Sequence, residues 1–248
     1  MSIKKIPLVE CFGPTIQGEG AHIGQQTYFL RFGLCDYACD MCDSMYAVDP
    51  AEVKKNAQWL TQTEILDYFL KMRKENSTQW ITFSGGNPCI HNLSDLCYML
   101  SELGYKIAVE TQGTKLPEWL KRVNSITVAP KGPGMGEDFK IEELYAFIRK
   151  YTVNLKFVVF DQRDVDFAAE VINQCIPAVS YDRIFLSLGN PAIPDKEGKS
   201  YIDPIEHQQM LLKQYRALFE DIQTHPILSK VKFLPQWHIF AFGNERGV

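Results

Sequence analysis

Cys35, Cys39 and Cys42 fall within eight residues of this chain, spaced CxxxCxxC. Thiolates this close in sequence can converge on one metal centre. A structural zinc site is normally closed by four protein ligands, whereas a metal that does chemistry keeps one position open. Three thiolates with no obvious fourth neighbour suit three irons of a [4Fe–4S] cluster, with one iron left for a ligand. Asp36, Asp40 and His22 are the local candidates for a fourth ligand. A zinc site and three unligated thiols are the competing readings.

The bulk properties frame that site. The chain has 248 residues and is 46% hydrophobic, enough for a full core in one domain, 1–248. Its formal net charge of −4 argues against nucleic acid or a membrane surface as partner, since both favour basic proteins. Met1–Lys5 leads into Ile6 without a long apolar run, so neither a signal peptide nor a transmembrane segment is expected, and the cytoplasm is the expected compartment. Seven cysteines is an odd count and fits reduced thiols better than disulfides. Cys11, Cys89, Cys97 and Cys175 sit on apolar stretches and read as buried free thiols.

The elements that must position the cysteines follow from periodicity. Ile6–Phe12 and Thr27–Phe32 read as strands, and the glycines of Gly13–Gly20 between them mark a turn or a close backbone approach. Thr61-Gln62-Thr63-Glu64 is a capping box opening a helix with Ile65, Leu66, Phe69 and Leu70 on one face. Further strands are expected at Trp80–Phe83, Lys106–Glu110, Ser125–Ala129, Val153–Phe160 and Ile184–Leu188, and a last one at Lys230–Leu234. Helices are expected around Leu93–Leu103, near Trp119, and over Ile141–Lys150, Asp164–Asn173 and Pro204–Phe219, the last after a polar loop, Pro194–Ser200. Alternating strands and helices imply right-handed crossovers and a parallel sheet. About six such strands are too few for a closed eight-stranded barrel, so the expected fold is α/β, a single-domain open TIM-type barrel. The cysteine loop, Ser84–Pro88, Thr111–Thr114, Pro130–Gly134 and Gly189–Pro191 all follow strand ends, the edge where such folds place their sites.

CxxxCxxC after one core strand, followed by Gly85-Gly86-Asn87-Pro88 after the next, resembles the radical S-adenosylmethionine superfamily. Within it, Phe12–Gly20, Arg31-Phe32, Cys42-Asp43-Ser44, Ser84–Pro88, Glu110–Thr114, Pro130-Lys131 and Asn244–Val248 resemble the 7-carboxy-7-deazaguanine synthase family over essentially the whole chain. The resemblance implies radical ring contraction of 6-carboxy-5,6,7,8-tetrahydropterin with loss of ammonia, on the path to queuosine. It also implies S-adenosylmethionine, magnesium, a homodimer, and flavodoxin or ferredoxin as electron donor.

By matching position, the resemblance assigns Cys35, Cys39 and Cys42 to the cluster. Met41, Asp43, Gly86, Thr111, Ala129, Pro130 and Lys131 fall to S-adenosylmethionine, with Ser187, Leu188, Gly189 and Asn190 closing around the adenosine. Ile16, Gln17, Gly18, Arg31, Ser84, His238 and Val248 fall to the pterin, and Ser44 to magnesium. Each has an ordinary reading as well: Arg31 as a surface ion pair, Ser44 as a helix N-cap, Gln17 as a solvated loop residue, Lys131 as a surface lysine, and His238 as a packed core residue. The glycines of Gly85-Gly86 would let backbone approach the methionine amino group. Two residues depart from the wider superfamily: Asn87 where a glutamate is commoner, and Met41 where an aromatic is common before the last cysteine. Another radical enzyme, such as a glycyl-radical activating enzyme, and a non-catalytic zinc protein are the alternatives.

Overall fold

The computed structural model describes residues 4–192 and 202–248. The expected Pro194–Ser200 loop and the first three residues lie outside them. In chain order the elements are β1 (Ile6–Ile16), β2 (Gln26–Phe32), α1 (Pro50–Asn56), β3 (Gln58–Leu60), α2 (Gln62–Met72), β4 (Trp80–Gly85), α3 (Ser94–Glu102), β5 (Lys106–Thr111), β6 (Ser125–Val128), α4 (Ile141–Lys150), β7 (Val153–Val159), α5 (Gln162–Cys175), β8 (Ile184–Leu188), α6 (Pro204–Ile222), β9 (Lys232–Leu234) and α7 (Trp237–Phe242). One nine-stranded sheet orders them β3-β1-β2-β4-β5-β6-β7-β8-β9. From β2 to β9 every neighbouring pair is parallel. This is the expected open α/β barrel, with seven parallel strands among the described residues rather than about six.

Three local features differ from expectation. β1 does not stop at Phe12 but runs to Ile16, and its pairing with β2 slips between Phe12 and Thr15. Gly13 sits in that slip at φ +119°, where a Cβ would lie 2.9 Å from the Thr27 carbonyl, so the glycine bends a continuing strand instead of ending it. β1 and the short β3 add two antiparallel strands on one edge. The helix near Trp119 is a single 3₁₀ segment, Glu118–Arg122.

The strand alternation explains where the core lies. In β2, Tyr28, Leu30 and Phe32 are buried in the hydrophobic cluster. Ile81 and Phe83, Ile107 and Val109, Ile126 and Val128, and Leu155 and Phe157 continue it across the sheet, against Phe69, Leu96, Phe147 and Ile172 of the helices. The intervening positions carry Thr27, Phe29, Arg31, Thr82, Ser84, Glu110, Thr127, Asn154 and Lys156. A period of two thus puts the apolar residues under the helices and the polar ones on the other face. α2 begins at the expected capping box, in which the Thr61 hydroxyl accepts from the Glu64 N–H and the Glu64 carboxylate from the Thr61 N–H.

Candidate active site

A cavity of about 250 Å³ opens on the polar face. It is lined by all three cysteines, by Met41, Asp43 and Ser44 beside them, by Gly86, Thr111, Ala129, Lys131 and Asn190, and by Ile16, Gln17, Gly18, Arg31, Ser84, His238 and Val248. Most of the residues the sequence singled out therefore meet in one place. Pro130, Ser187, Leu188 and Gly189 do not line it. Ser187 is fully buried, with a hydroxyl that finds no partner among the described residues. Leu188 instead lines a separate small cavity with Leu211 and Tyr215 of α6, and a Cβ on Gly189 would strike the Phe160 ring at 2.3 Å. Of the expected adenosine segment, only Asn190 reaches the cavity.

The cysteine loop is held from outside. The Asp40 N–H donates to the Met135 carbonyl at 2.9 Å, the Ala38 N–H to the Glu137 carboxylate, and the Tyr37 hydroxyl to the Asp138 carbonyl at 3.3 Å. That clamp is itself fixed by buried Asp164, which accepts from the Gly134 N–H at 2.7 Å and the Phe160 N–H at 3.0 Å. Burial pushes the Cys39 thiol up to about 12 and raises Cys35 and Cys42 as well, with Lys131 opposing the rise at all three. Such thiols give up their protons to a metal rather than to water.

None of the local candidates completes a four-ligand site. Asp36 accepts hydrogen bonds from Asn87, Gln112 and Thr114. Asp40 lies against Gly136, and the His22 ring lies 4.7 Å from that of Trp80, at the start of β4 rather than its end. Among the described residues no three His, Cys, Asp or Glu side chains close around a single-ion site. A [4Fe–4S] cluster fits the donors present: three thiols on one loop, opening to the cavity, facing a lysine.

Several expectations change in detail. The Gly85-Gly86 turn is glycine because β2 lies on top of it. A Cβ at Gly85 would meet the Phe32 carbonyl at 2.0 Å, and one at Gly86 the Leu34 carbonyl at 2.0 Å. The Gly86 and Asn87 N–H groups donate to those same two carbonyls, each at 2.9 Å. The turn thus locks the start of the cysteine loop, and Gly86 still borders the cavity. Ser44 does stand at the N-cap of a 3₁₀ turn, but its hydroxyl makes no cap bond; it donates to Asp43 Oδ1 at 3.0 Å. Gln17 is buried, not solvated: its Nε2 donates to Glu110 at 3.0 Å and its Oε1 accepts from the Glu19 N–H at 3.2 Å. Arg31 stands in register between Glu10 and Ser84, and its Nε–H donates to Glu10 at 2.8 Å. His238 packs on Gly18, where a Cβ would lie 2.3 Å from its Nδ1. Asn87, where the resemblance to the wider superfamily expects a glutamate, donates to Asp36 Oδ1 at 2.9 Å and accepts from Thr111 at 2.9 Å. A glutamate there would set a second carboxylate against Asp36.

Sequence reasoning missed the charged floor of the cavity. Lys156 on β7 is buried between Glu19 and Glu110, bonded to the first and 3.3 Å from the second. Burial pushes the Glu19 carboxyl up, but Lys156, His238 and a hydrogen bond from Gln236 more than reverse this and hold it at about 2. Burial opposes the charge on Lys156 too, yet Glu110 and Glu19 raise its pKa. Lys156, the one charged residue of the mostly apolar strand Val153–Val159, was the available signal.

Residues 30–129 match the radical SAM superfamily. A 7-carboxy-7-deazaguanine synthase of Bacillus cereus is 36% identical over 250 residues, covering 99% of this chain and 100% of the relative. The chain belongs to the 7-carboxy-7-deazaguanine synthase family. The family's member from Bacillus subtilis is 35% identical, covering 99% of each chain. The crystal structure of QueE from Escherichia coli superposes with a TM-score of 0.61 at 19% identity, covering 94% of this chain and 95% of that one, which supports the fold. Membership of this superfamily brings a [4Fe–4S] cluster and S-adenosylmethionine, and decides against the zinc protein. No helix among the described residues is long and apolar enough to cross a membrane.

Proposed function

We propose that this chain converts 6-carboxy-5,6,7,8-tetrahydropterin to 7-carboxy-7-deazaguanine with loss of ammonia. The observation that carries the reading is likeness to 7-carboxy-7-deazaguanine synthases over the full length of the chain, with the cysteine loop opening into a cavity of matching residues. When bound, the cluster and S-adenosylmethionine supply an electron and a carbon radical that removes one hydrogen from the substrate. Cys35, Cys39 and Cys42 hold the cluster at one end of the cavity. Met41, Asp43, Gly86, Thr111, Ala129, Lys131 and Asn190 border the space beside it and receive S-adenosylmethionine. Met41 offers a polarizable thioether where an aromatic is commoner.

At the other end, Gln17, Arg31, Ser84, His238 and Val248 hold the pterin. Glu10 engages one of the five guanidinium N–H donors of Arg31, and the Nη groups are suited to the substrate carboxylate. Buried Lys156 and half-buried Glu19 and Glu110 present fixed charges on the floor, so a polar heterocycle meets preoriented partners and not bulk water. Ser44 with Asp43 offers oxygen to magnesium, which keeps waters and shares substrate oxygens. The one continuous sheet supports a single domain, and a homodimer and a flavodoxin or ferredoxin donor, in the cytoplasm, complete the proposal.

Anaerobic reconstitution followed by incubation with the carboxytetrahydropterin, with and without magnesium, tests it. The expected products are deoxyadenosine and the carboxydeazaguanine, lost together with the brown colour in Cys39→Ala. Product from that variant, or none from a fully loaded parent, refutes the reading.

A further inference from the structure

The Asp36 carboxylate, next to the first cysteine of the loop, ties three strand ends together. Its Oδ1 accepts from Asn87 Nδ2 at 2.9 Å, beyond β4, and from Gln112 Nε2 at 2.6 Å, beyond β5. Its Oδ2 accepts from the Thr114 hydroxyl at 2.6 Å. Gln112 is buried, and the same Nε2 also lies 3.4 Å from Cys35 Sγ. An amide nitrogen carries two hydrogens, and here one serves a carboxylate and the other a sulfur. The opposite orientation of the amide would set its oxygen against both acceptors, so Asp36 fixes which atom faces the sulfur. The Tyr37 N–H donates to that sulfur as well, at 3.4 Å.

We propose that Gln112 is a positioning residue for the cluster: aimed by Asp36, its amide donates to the ligating Cys35 sulfur and raises the reduction potential. The proposal rests on the cluster being held by Cys35, Cys39 and Cys42. A donor to a ligating sulfur is favourable to the extent that the sulfur carries negative charge. Reduction adds one electron to the cluster and its thiolates, so the hydrogen bond stabilises the reduced form more than the oxidised one. Cys35 alone of the three has a side-chain amide donor on it among the described residues.

The test is an anaerobic redox titration of the reconstituted protein, read by absorbance bleaching and by the electron paramagnetic resonance of the reduced cluster. Iron and sulfide are assayed on each sample. Gln112→Leu and Gln112→Met remove the donor while keeping bulk. Thr114→Val removes one tie to Asp36 and leaves the amide on the sulfur. With iron and sulfide at parental levels, both Gln112 variants should show a lower midpoint potential than the parent, and Thr114→Val the parental value. Unchanged potentials in the Gln112 variants overturn the proposal. An equal drop in Thr114→Val overturns it too, because loosening of the loop would then explain the shift. Failure of both Gln112 variants to hold a cluster also overturns it and assigns the amide to folding of the loop. A parent that binds no iron and sulfide refutes the cluster itself, a result distinct from all of these.

Discussion

Replacing Glu19 by glutamine probes the charged floor of the cavity most directly. The substitution keeps size and one acceptor, removes the charge beside Lys156, and turns one of the two oxygens that accept from Lys156 and Gln236 into an amide donor. In the folded chain the carboxyl sits at about 2, against an ordinary 4.5, because Lys156, His238 and Gln236 outweigh the penalty of burial. Holding a carboxyl that far below its ordinary value contributes roughly 3 kcal/mol at neutral pH. Removing one partner of a buried ion pair independently suggests a loss of about 3–5 kcal/mol, at the low end here because Glu110 still faces Lys156 at 3.3 Å. The expected result for Glu19→Gln is a destabilisation of roughly 3 kcal/mol at pH 7, or about 6–12 °C in Tm for a chain of this size. Its pH dependence has a definite sign. The depressed carboxyl contributes fully above pH 4.5, and the contribution disappears as pH falls towards 2. The gap between parent and variant should therefore be constant from pH 7 to 5 and close below it. Urea unfolding of the metal-free protein, compared at equal slopes, measures this. Adding Lys156→Met to Glu19→Gln should cost less than the sum of the two single changes. A gap below 1 kcal/mol at pH 7, or one that widens in acid, would refute this account of the floor.

Other positions give sharper yes-or-no outcomes. Gly86→Ala places a Cβ 2.0 Å from the Leu34 carbonyl, so a loss of ~3 kcal/mol or more is expected, seen as poor soluble yield or an early unfolding midpoint. Asp164→Ala releases the Gly134 and Phe160 N–H groups and with them the clamp on the cysteine loop; it should cost about 1–3 kcal/mol and lower iron retention after gel filtration. Thr61→Ala removes one half of the capping box, at a residue that does not line the cavity, and should cost about 1 kcal/mol without changing turnover. Gly18→Ala drives a methyl into His238 and should raise KM for the pterin more than it lowers stability, measured by steady-state assay beside thermal unfolding.

What the sequence made legible is what local chemistry determines. CxxxCxxC needs no partner to be read, and strands with a period of two declare themselves wherever an apolar face is buried, as in Tyr28, Leu30 and Phe32. The Thr61 capping box is complete within four residues. The misses are of two kinds. Some elements are too short or too solvated for periodicity: β3 has three residues, and Trp59 on it is largely exposed. α1 was legible in principle, since Asp49 caps it and Pro50 opens it, the helix-start pair that proline at the first position favours. The other misses depend on pairing across the fold. Glu19 and Lys156 are 137 residues apart, and no feature of either neighbourhood names the other.

The two chemistries of the site place opposite demands on the chain, and the sheet separates them. Buried thiols need a loop whose backbone is immobilised before any metal arrives, and the chain supplies this from strand ends: the Gly85-Gly86 turn beneath Leu34, the Asp36 tie to Asn87 and Gln112, and the 133–138 clamp. A polar substrate needs charges that are already compensated, and the chain supplies those from the inward residues of the strands themselves. The tail then ties the wall around Gly18 and Glu10 to the residues that follow the cysteine loop. The Trp237 N–H donates to the Gly18 carbonyl at 2.9 Å, and Arg246 donates to Glu10 at 2.9 Å while lying over the Tyr46 ring. Glu10 therefore takes Arg31, Tyr46 and Arg246 together, so the first strand, the residues after the cysteine loop and the last residues of the chain meet on one carboxylate. Because the wall that carries Arg31 depends on contacts more than 200 residues away, changes in the tail should alter substrate affinity while leaving the cluster intact.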